Sequence, residues 1–206
     1  TVTLSKVEIP ATGIHDFSGA GVKTDATCTS DGVMTYTCKT ENCKATKTET
    51  IPAKGHAFKD NTCSACSLKE FAFTTDGTNA KITAYNGTKT EISIPQTVDS
   101  ITVTAIGDKV FNADNHPKMR TVIMPETVTK IGLDAFRNNQ SVEYIEANGV
   151  KEIASNSFRD CTAVTQLGLP SLTDVSGGAF MNCYSLGSVD IQSVKYLGAQ
   201  AFYGCI

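Results

Sequence analysis

Leu167-Gly-Leu-Pro-Ser-Leu-Thr-Asp-Val-Ser-Gly-Gly-Ala-Phe-Met-Asn-Cys183 contains the phrase on which the fold turns: an aliphatic residue, Val175, and then Phe180 five positions on. The same phrase pairs Ile106 with Phe111, Ile131 with Phe136, Ile153 with Phe158 and Leu197 with Phe202. The phenylalanines are spaced by 25, 22, 22 and 22 residues. A fixed period of this length marks a solenoid, in which each repeat is one supersecondary unit that buries its apolar face only against its neighbours.

Other positions recur in register with the phenylalanines. Val122-Ile-Met124, Ile145-Glu-Ala147, Leu167-Gly-Leu169 and Val189-Asp-Ile191 alternate as strands do, so that Val122 and Met124, or Leu167 and Leu169, point inward together. Met119, Val142, Val164 and Leu186 stand three residues earlier and add a second inward rung. Ala135, Ser157, Ala179 and Ala201 precede their phenylalanines and keep that turn slim. Cys161, Cys183 and Cys205 each follow a phenylalanine by three residues, with Asn139 and Asp114 in the equivalent places earlier. A buried thiol behaves as a small inert hydrophobe, so this column reads as packing rather than as a redox or metal ladder.

At these positions residues 106–206 resemble the BspA-like leucine-rich-repeat family, whose consensus runs Leu-x2-Ile-x-Leu-Pro-x2-Val-x2-Ile-Gly-x2-Ala-Phe-x2-Cys. Residues 80–106 are similar to its opening unit, with Ile82-Thr-Ala-Tyr-Asn-Gly87, Ile94-Pro95 and Val103-Thr-Ala-Ile-Gly107. Asn86-Gly87 is a tight-turn signal between short strands, and this irregular first repeat reads as the cap of the stack. The resemblance implies a mainly β fold with short helices, a leucine-rich-repeat solenoid over 71–206, and a surface role in attachment or partner binding.

The first seventy residues have a different texture. They are rich in Thr, Lys, Gly and Ala and hold Cys28, Cys38, Cys43, Cys63 and Cys66. A stretch so poor in aliphatic side chains makes little core and leans on disulfides or metal. Ile9-Pro-Ala-Thr-Gly-Ile-His15-Asp-Phe17 returns 42 residues on as Ile51-Pro-Ala-Lys-Gly-His56-Ala-Phe58, so the chain is expected to open inside a partial repeat, 1–13. Val33–Thr37 and Lys47–Ile51 alternate and predict a hairpin, with Gly32 and Asn42 as turn residues. The expected organisation is a small Cys/His-containing β module over 1–70 followed by the solenoid.

Cys38-Lys-Thr-Glu-Asn-Cys43 and Cys63-Ser-Ala-Cys66 are separated by nineteen residues and read as two knuckles of a zinc ribbon, each supplying adjacent soft ligands to one tetrahedral ion. A set that uses His15 and Cys28 with Cys38 and Cys43 stays open, as do disulfides, which an extracellular setting favours, and free thiols. Residues 9–67 resemble the Ala-Thr-Cys…Tyr-Thr-Cys…Ile-Pro-Ala-x-Gly-His repeats of large surface proteins from gut anaerobes. The four-residue gap between Cys38 and Cys43 departs from the two-residue gap of those repeats.

Composition narrows the function classes. A net charge of -3 over 206 residues leaves no basic stripe for nucleic acid. No apolar run reaches the length of a membrane span. Phosphate-cradling glycine loops, Gly-x-Ser-x-Gly elbows and His-Glu-x-x-His pairs are missing from the sequence, so no enzyme is expected. The expected working surface is the concave strand face of the repeats, with Ile123 and Tyr144 as apolar anchors and Glu146, Gln166 and Asp190 beside them. Its expected partner is an extracellular protein or glycan, in adhesion, for a secreted or cell-surface chain. The alternative is a structural spacer that displays another domain. An apolar last repeat at Ile206 adds an expectation of end-to-end self-association.

Overall fold

The computed structural model describes residues 15–40, 43–66, 68–116 and 118–205, and the chain divides into two compact units, Thr1–Ser67 and Leu68–Ile206. The partial repeat expected at 1–13, the turn residue Asn42 and the terminal Ile206 lie outside the described residues.

In the first unit β1 (Val22–Thr24), β2 (Gly32–Thr37) and β3 (Thr46–Ile51) form an antiparallel sheet in that order. The expected hairpin is there, with Gly32 opposite Ile51 and Thr37 opposite Thr46. A second, minimal hairpin pairs β4 (Phe58–Lys59) with β5 (Thr62–Cys63) across Asp60 and Asn61, both at positive φ. Among the described residues of this unit the buried apolar side chains are Ala26, Cys38, Ala45 and Cys63. Among those described residues, no buried apolar side chain is larger than a cysteine.

The second unit is a solenoid of two sheets. It opens with β6 (Phe71–Thr75) and β7 (Asn79–Tyr85), an antiparallel pair that turns at Asp76 and Gly77. Asp76 Oδ1 accepts from the Thr78 and Asn79 amides and fixes that turn. Asn86-Gly87 is therefore not the hairpin turn its composition suggested. The Asn86 amide donates to the Glu70 carbonyl as the chain crosses from one sheet to the other, and a Cβ at Gly87 would strike the Tyr85 hydroxyl. The strand β8 (Glu91–Ser93) follows, and then β9 (Thr97–Val98), which pairs antiparallel with β10 (Ile101–Ile106).

Each later repeat but the last adds one strand to each sheet. The shorter sheet stacks β8, β11 (Thr121–Ile123), β13 (Tyr144–Glu146) and β15 (Gln166–Gly168) in parallel. The longer sheet continues from β7 and β10 through β12 (Lys130–Ile131), β14 (Glu152–Ile153), β16 (Asp174–Val175) and β17 (Tyr196–Leu197). Val189–Ile191, expected as the last strand of the shorter sheet, has no ladder pairing, and Asp190 and Ile191 accept from the amides of Gln192 and Val194 instead.

The core is the set of columns that the period implies. Phe111, Phe136, Phe158 and Phe180 are fully buried, with successive ring centroids 5.2, 4.9 and 5.2 Å apart, and Phe202 lies 5.0 Å beyond Phe180. Met119, Val142, Val164 and Leu186 are buried, as are Ala135, Ser157, Ala179 and Ala201. Each repeat is tied to the next by a phenylalanine amide: Phe136 to the Ser157 carbonyl, Phe158 to Ala179 and Phe180 to Ala201, all at 2.7 Å.

The short helices expected beside the strands are not formed: among the described residues there is no helix. The phenylalanine segments are runs of tight turns instead. Asp134 and Asn138, Asn156 and Asp160, Gly178 and Asn182, and Gln200 and Gly204 all have φ between 52° and 79°, two residues before and after each phenylalanine. A left-handed residue every fourth position interrupts any right-handed helix, and Asn, Asp and Gly tolerate that conformation best.

The cysteine column packs as expected and also bonds. Cys161, Cys183 and Cys205 are free thiols that donate to the carbonyls of Phe136, Phe158 and Phe180 at 3.0, 3.0 and 3.1 Å. Burial pushes the Cys183 thiol from an ordinary 9.0 up to about 12 and lifts Cys161 well above its usual range. The unfolded chain ionises first, so the stability these thiols contribute is whole below pH 9 and falls as pH rises from there toward about 12. Urea melts should lose about 1 kcal/mol per thiol between pH 9 and 10, where the unfolded thiol passes from half to nearly full ionisation. The double variant Cys161→Ala, Cys183→Ala should lose markedly less over the same interval, and an equal loss would free the thiols of the effect.

Candidate functional site

Two regions gather chemistry or surface: the cysteines and histidines of the first unit, and the outward faces of the solenoid's two sheets.

In the first unit the four cysteines read as one ribbon are divided between two groups. His15 joins Cys38 and Cys43, whereas Cys28 and His56 join Cys63 and Cys66, with the ligand atoms inside each group all within 4.8 Å of one another. Cys28 therefore does not complete the set of His15, Cys38 and Cys43. The division follows from the strands. Cys38 directly follows β2 and Cys43 precedes β3, while Cys28 lies before the start of β2 and Cys63 lies in β5. Each group sits at a different end of β2.

The groups are built alike. His15 stacks on Phe17 with centroids 5.8 Å apart, and His56 stands 5.5 Å from Phe58. Each ring is turned so that Nδ1 meets the second cysteine of its pair, His15 to Cys43 Sγ at 3.2 Å and His56 to Cys66 Sγ at 3.4 Å. Cys28 Sγ and Cys63 Sγ are 3.8 Å apart. Burial pushes the Cys38 thiol up, but hydrogen bonds with Cys43, Thr40 and His15 outweigh it and hold it at about 6. Cys63 is held at about 6 by the Ala65 backbone and by His56. Cys28 is pushed up to about 11, first by burial and then by hydrogen bonds with Cys66 and Cys63. Each group thus has one cysteine poised as the thiolate that a metal ion needs.

On the shorter sheet, Ile123 and Glu146 are register partners and so are Tyr144 and Gln166. Ile123 is 40% exposed. The Tyr144 hydroxyl donates to Glu146 at 3.3 Å, and Asn148 donates to the other Glu146 oxygen at 3.0 Å. Asp190 is exposed but stands off the sheet, in the chain after β15.

The longer sheet carries a feature that sequence reasoning missed. Lys81, Ala105, Lys130, Glu152, Asp174 and Tyr196 are successive register partners across β7, β10, β12, β14, β16 and β17. They line a groove of about 470 Å³ floored by Ile106, Ile131 and Ile153. Lys130 and Glu152 pair at 2.8 Å, and Tyr196 is 57% exposed. Most of these strands are two residues long, too short for alternation to show. The only signal was the aliphatic residue five places before each phenylalanine, preceded from Lys130 onward by a polar one.

Residues 81–206 match the family described as BspA type leucine rich repeat region, in six copies. No match was found among curated proteins. Among solved structures, the chain is similar to a leucine-rich repeat protein of T. pallidum at 28% identity and a TM-score of 0.62, over 66% of this chain and 65% of that one. It is similar to a leucine rich cell surface protein of Faecalibacterium prausnitzii at 28% identity and a TM-score of 0.53, over 66% of this chain and 45% of that one. A Bacteroides ovatus leucine-rich repeat protein, at 23% identity and a TM-score of 0.50, shares the fold. The chain spans less than two thirds of the length of each. Among the described residues no helix is long and apolar enough to cross a membrane.

Proposed function

Because the chain belongs to the BspA-type leucine-rich-repeat family, we propose that it is a non-enzymatic interaction module of a bacterial cell surface or secreted protein, whose solenoid binds an extracellular protein in adhesion. The observation that carries this reading is the groove along the longer sheet. Its side chains run basic, small, basic, acidic, acidic and aromatic, from Lys81 through Ala105, Lys130, Glu152 and Asp174 to Tyr196. Neighbouring strands are about 4.8 Å apart, so this order spans the length of an extended peptide of several residues. A segment with acidic residues toward Lys81 and basic residues toward Asp174 would complement it, with an apolar side chain against Tyr196. The Cys/His groups of the first unit are read as zinc sites that fasten it, since zinc favours Cys and His at tetrahedral spacing.

The row on the shorter sheet offers a second face, favoured by the exposed Ile123 beside a Tyr144 that its bond to Glu146 holds in place. One experiment separates the two. The whole chain is screened against extracellular-matrix proteins and a glycan array, and a hit is retested with Tyr196→Ala and Glu152→Lys, then with Tyr144→Ala and Ile123→Ser. Loss of about tenfold or more in affinity in the first pair alone supports the groove. Loss in the second pair alone moves the site to the shorter sheet, with Gln166 as the next residue to change. A glycan hit replaces the protein partner, and no hit in any arm returns the chain to a structural spacer.

A further inference from the structure

Resting on the zinc reading above, we infer that the first unit carries two separate metal sites of unequal strength, a four-ligand one formed by Cys28, His56, Cys63 and Cys66 and a second to which His15, Cys38 and Cys43 contribute.

Distances within the groups fit one ion each. Zinc–sulfur bonds of about 2.3 Å at the tetrahedral angle set two sulfurs about 3.8 Å apart, and a zinc–nitrogen bond of about 2.0 Å sets nitrogen and sulfur about 3.5 Å apart. Cys28 and Cys63 stand at 3.8 Å, and the two His–Cys pairs at 3.4 and 3.2 Å. The arrangement also occurs twice. A His-x-Phe segment turns Nδ1 onto the second member of a close cysteine pair at both sites, each ring packed on its phenylalanine. A chance cluster of polar side chains would not repeat at both ends of β2.

The two sets differ in their fourth ligand. Cys28 completes the first as three thiolates and an imidazole, a ligand set characteristic of structural zinc, and ties the segment before β2 to the β4–β5 hairpin. Among the described residues the second group has three ligands, His15, Cys38 and Cys43, against the four of the first, and fewer protein ligands hold an ion less tightly. Among the described residues the buried apolar side chains of the unit are only Ala26, Cys38, Ala45 and Cys63, so metal binding energy at both sites becomes folding energy.

The test is titration of the whole chain, stripped of metal under reductant, with Co²⁺ and then Zn²⁺. The thiolate-to-cobalt absorption and the visible bands of tetrahedral cobalt report each site. Two equivalents are expected, the second binding about tenfold or more weakly. Cys38→Ser should abolish the weak step alone and Cys28→Ser should weaken the tight one. Cys66→His, which keeps a ligand in place, should retain the tight step with a shifted spectrum and so guards against loss by misfolding. A single equivalent abolished by serine at any of Cys38, Cys43, Cys63 and Cys66 overturns the two-site division while leaving zinc itself intact. No bound metal, with an intact mass short by two hydrogens per cysteine pair, overturns the zinc reading as well.

Discussion

Phe158→Ala lowers the free energy of unfolding of the solenoid by about 3–5 kcal/mol, as expected of a buried phenylalanine truncated to alanine. Phe158 has no exposed surface, and its ring stacks on Phe136 at 4.9 Å and on Phe180 at 5.2 Å, so the cavity opens onto two neighbouring repeats at once. The surrounding backbone has little room to collapse into the hole. The Phe158 amide is bonded to Ala179, and its carbonyl accepts from Cys183 and from the Cys161 amide. Phe202→Ala is the internal comparison, because that ring is only partly buried and stacks on one described neighbour, Phe180. Its loss should be less than half as large. Urea melts followed by far-UV circular dichroism give both values, and equal losses would mean that the stack does not carry the stability of the unit.

How far these features are legible in the sequence depends on how many residues each spans. The shorter sheet declares itself because Val122 and Met124, or Leu167 and Leu169, alternate over three positions, enough for a period of two to register. The longer sheet is built from pairs such as Glu152-Ile153, where alternation has nothing to repeat. Its existence rests on the stacking of Ile106, Ile131, Ile153 and Val175 as register partners, a relation between repeats rather than within one. The groove was missed for the same reason. The absent helices were readable in principle. Asp134, Asn138, Asn156, Asp160, Gly178 and Asn182 fall two residues to either side of their phenylalanines, and that recurrence of Asn, Asp and Gly is a turn signal.

The cysteines show a different limit. Sequence proximity pairs Cys38 with Cys43 and Cys63 with Cys66, and both pairs are close in space. It does not say which residues gather into one group, because that is decided by the course of β2 between Cys28 and Cys38. The recurrence of His-x-Phe was the available clue: two copies of one local arrangement fit two groups rather than one.

Asn139 is where the repeat departs from its own pattern, and Asn139→Ala should cost about 3–5 kcal/mol, far more than its size suggests. It occupies the place that Cys161 and Cys183 hold in later repeats, is fully buried, and makes four bonds where those thiols are each given one. Its Nδ2 donates to the Phe111 and His116 carbonyls, both at 3.0 Å, and its Oδ1 accepts from the Ser141 and Val142 amides at 3.3 and 3.2 Å. The need arises from the longer spacing between Phe111 and Phe136, 25 residues instead of 22, which brings an additional loop carbonyl, that of His116, inside. A thiol has one proton and reaches one carbonyl. Alanine would leave two carbonyls and two amides without this partner, those of Phe111 and Val142 in the buried interior, and each buried group left unsatisfied costs about 1–3 kcal/mol before relaxation. Asn139→Cys, which restores the residue of the later repeats, should keep the bond to Phe111, lose the others and fall between alanine and the native chain in urea melts. If cysteine instead matches or exceeds native stability, the loop carbonyl finds another partner and the asparagine is not what accommodates the longer repeat.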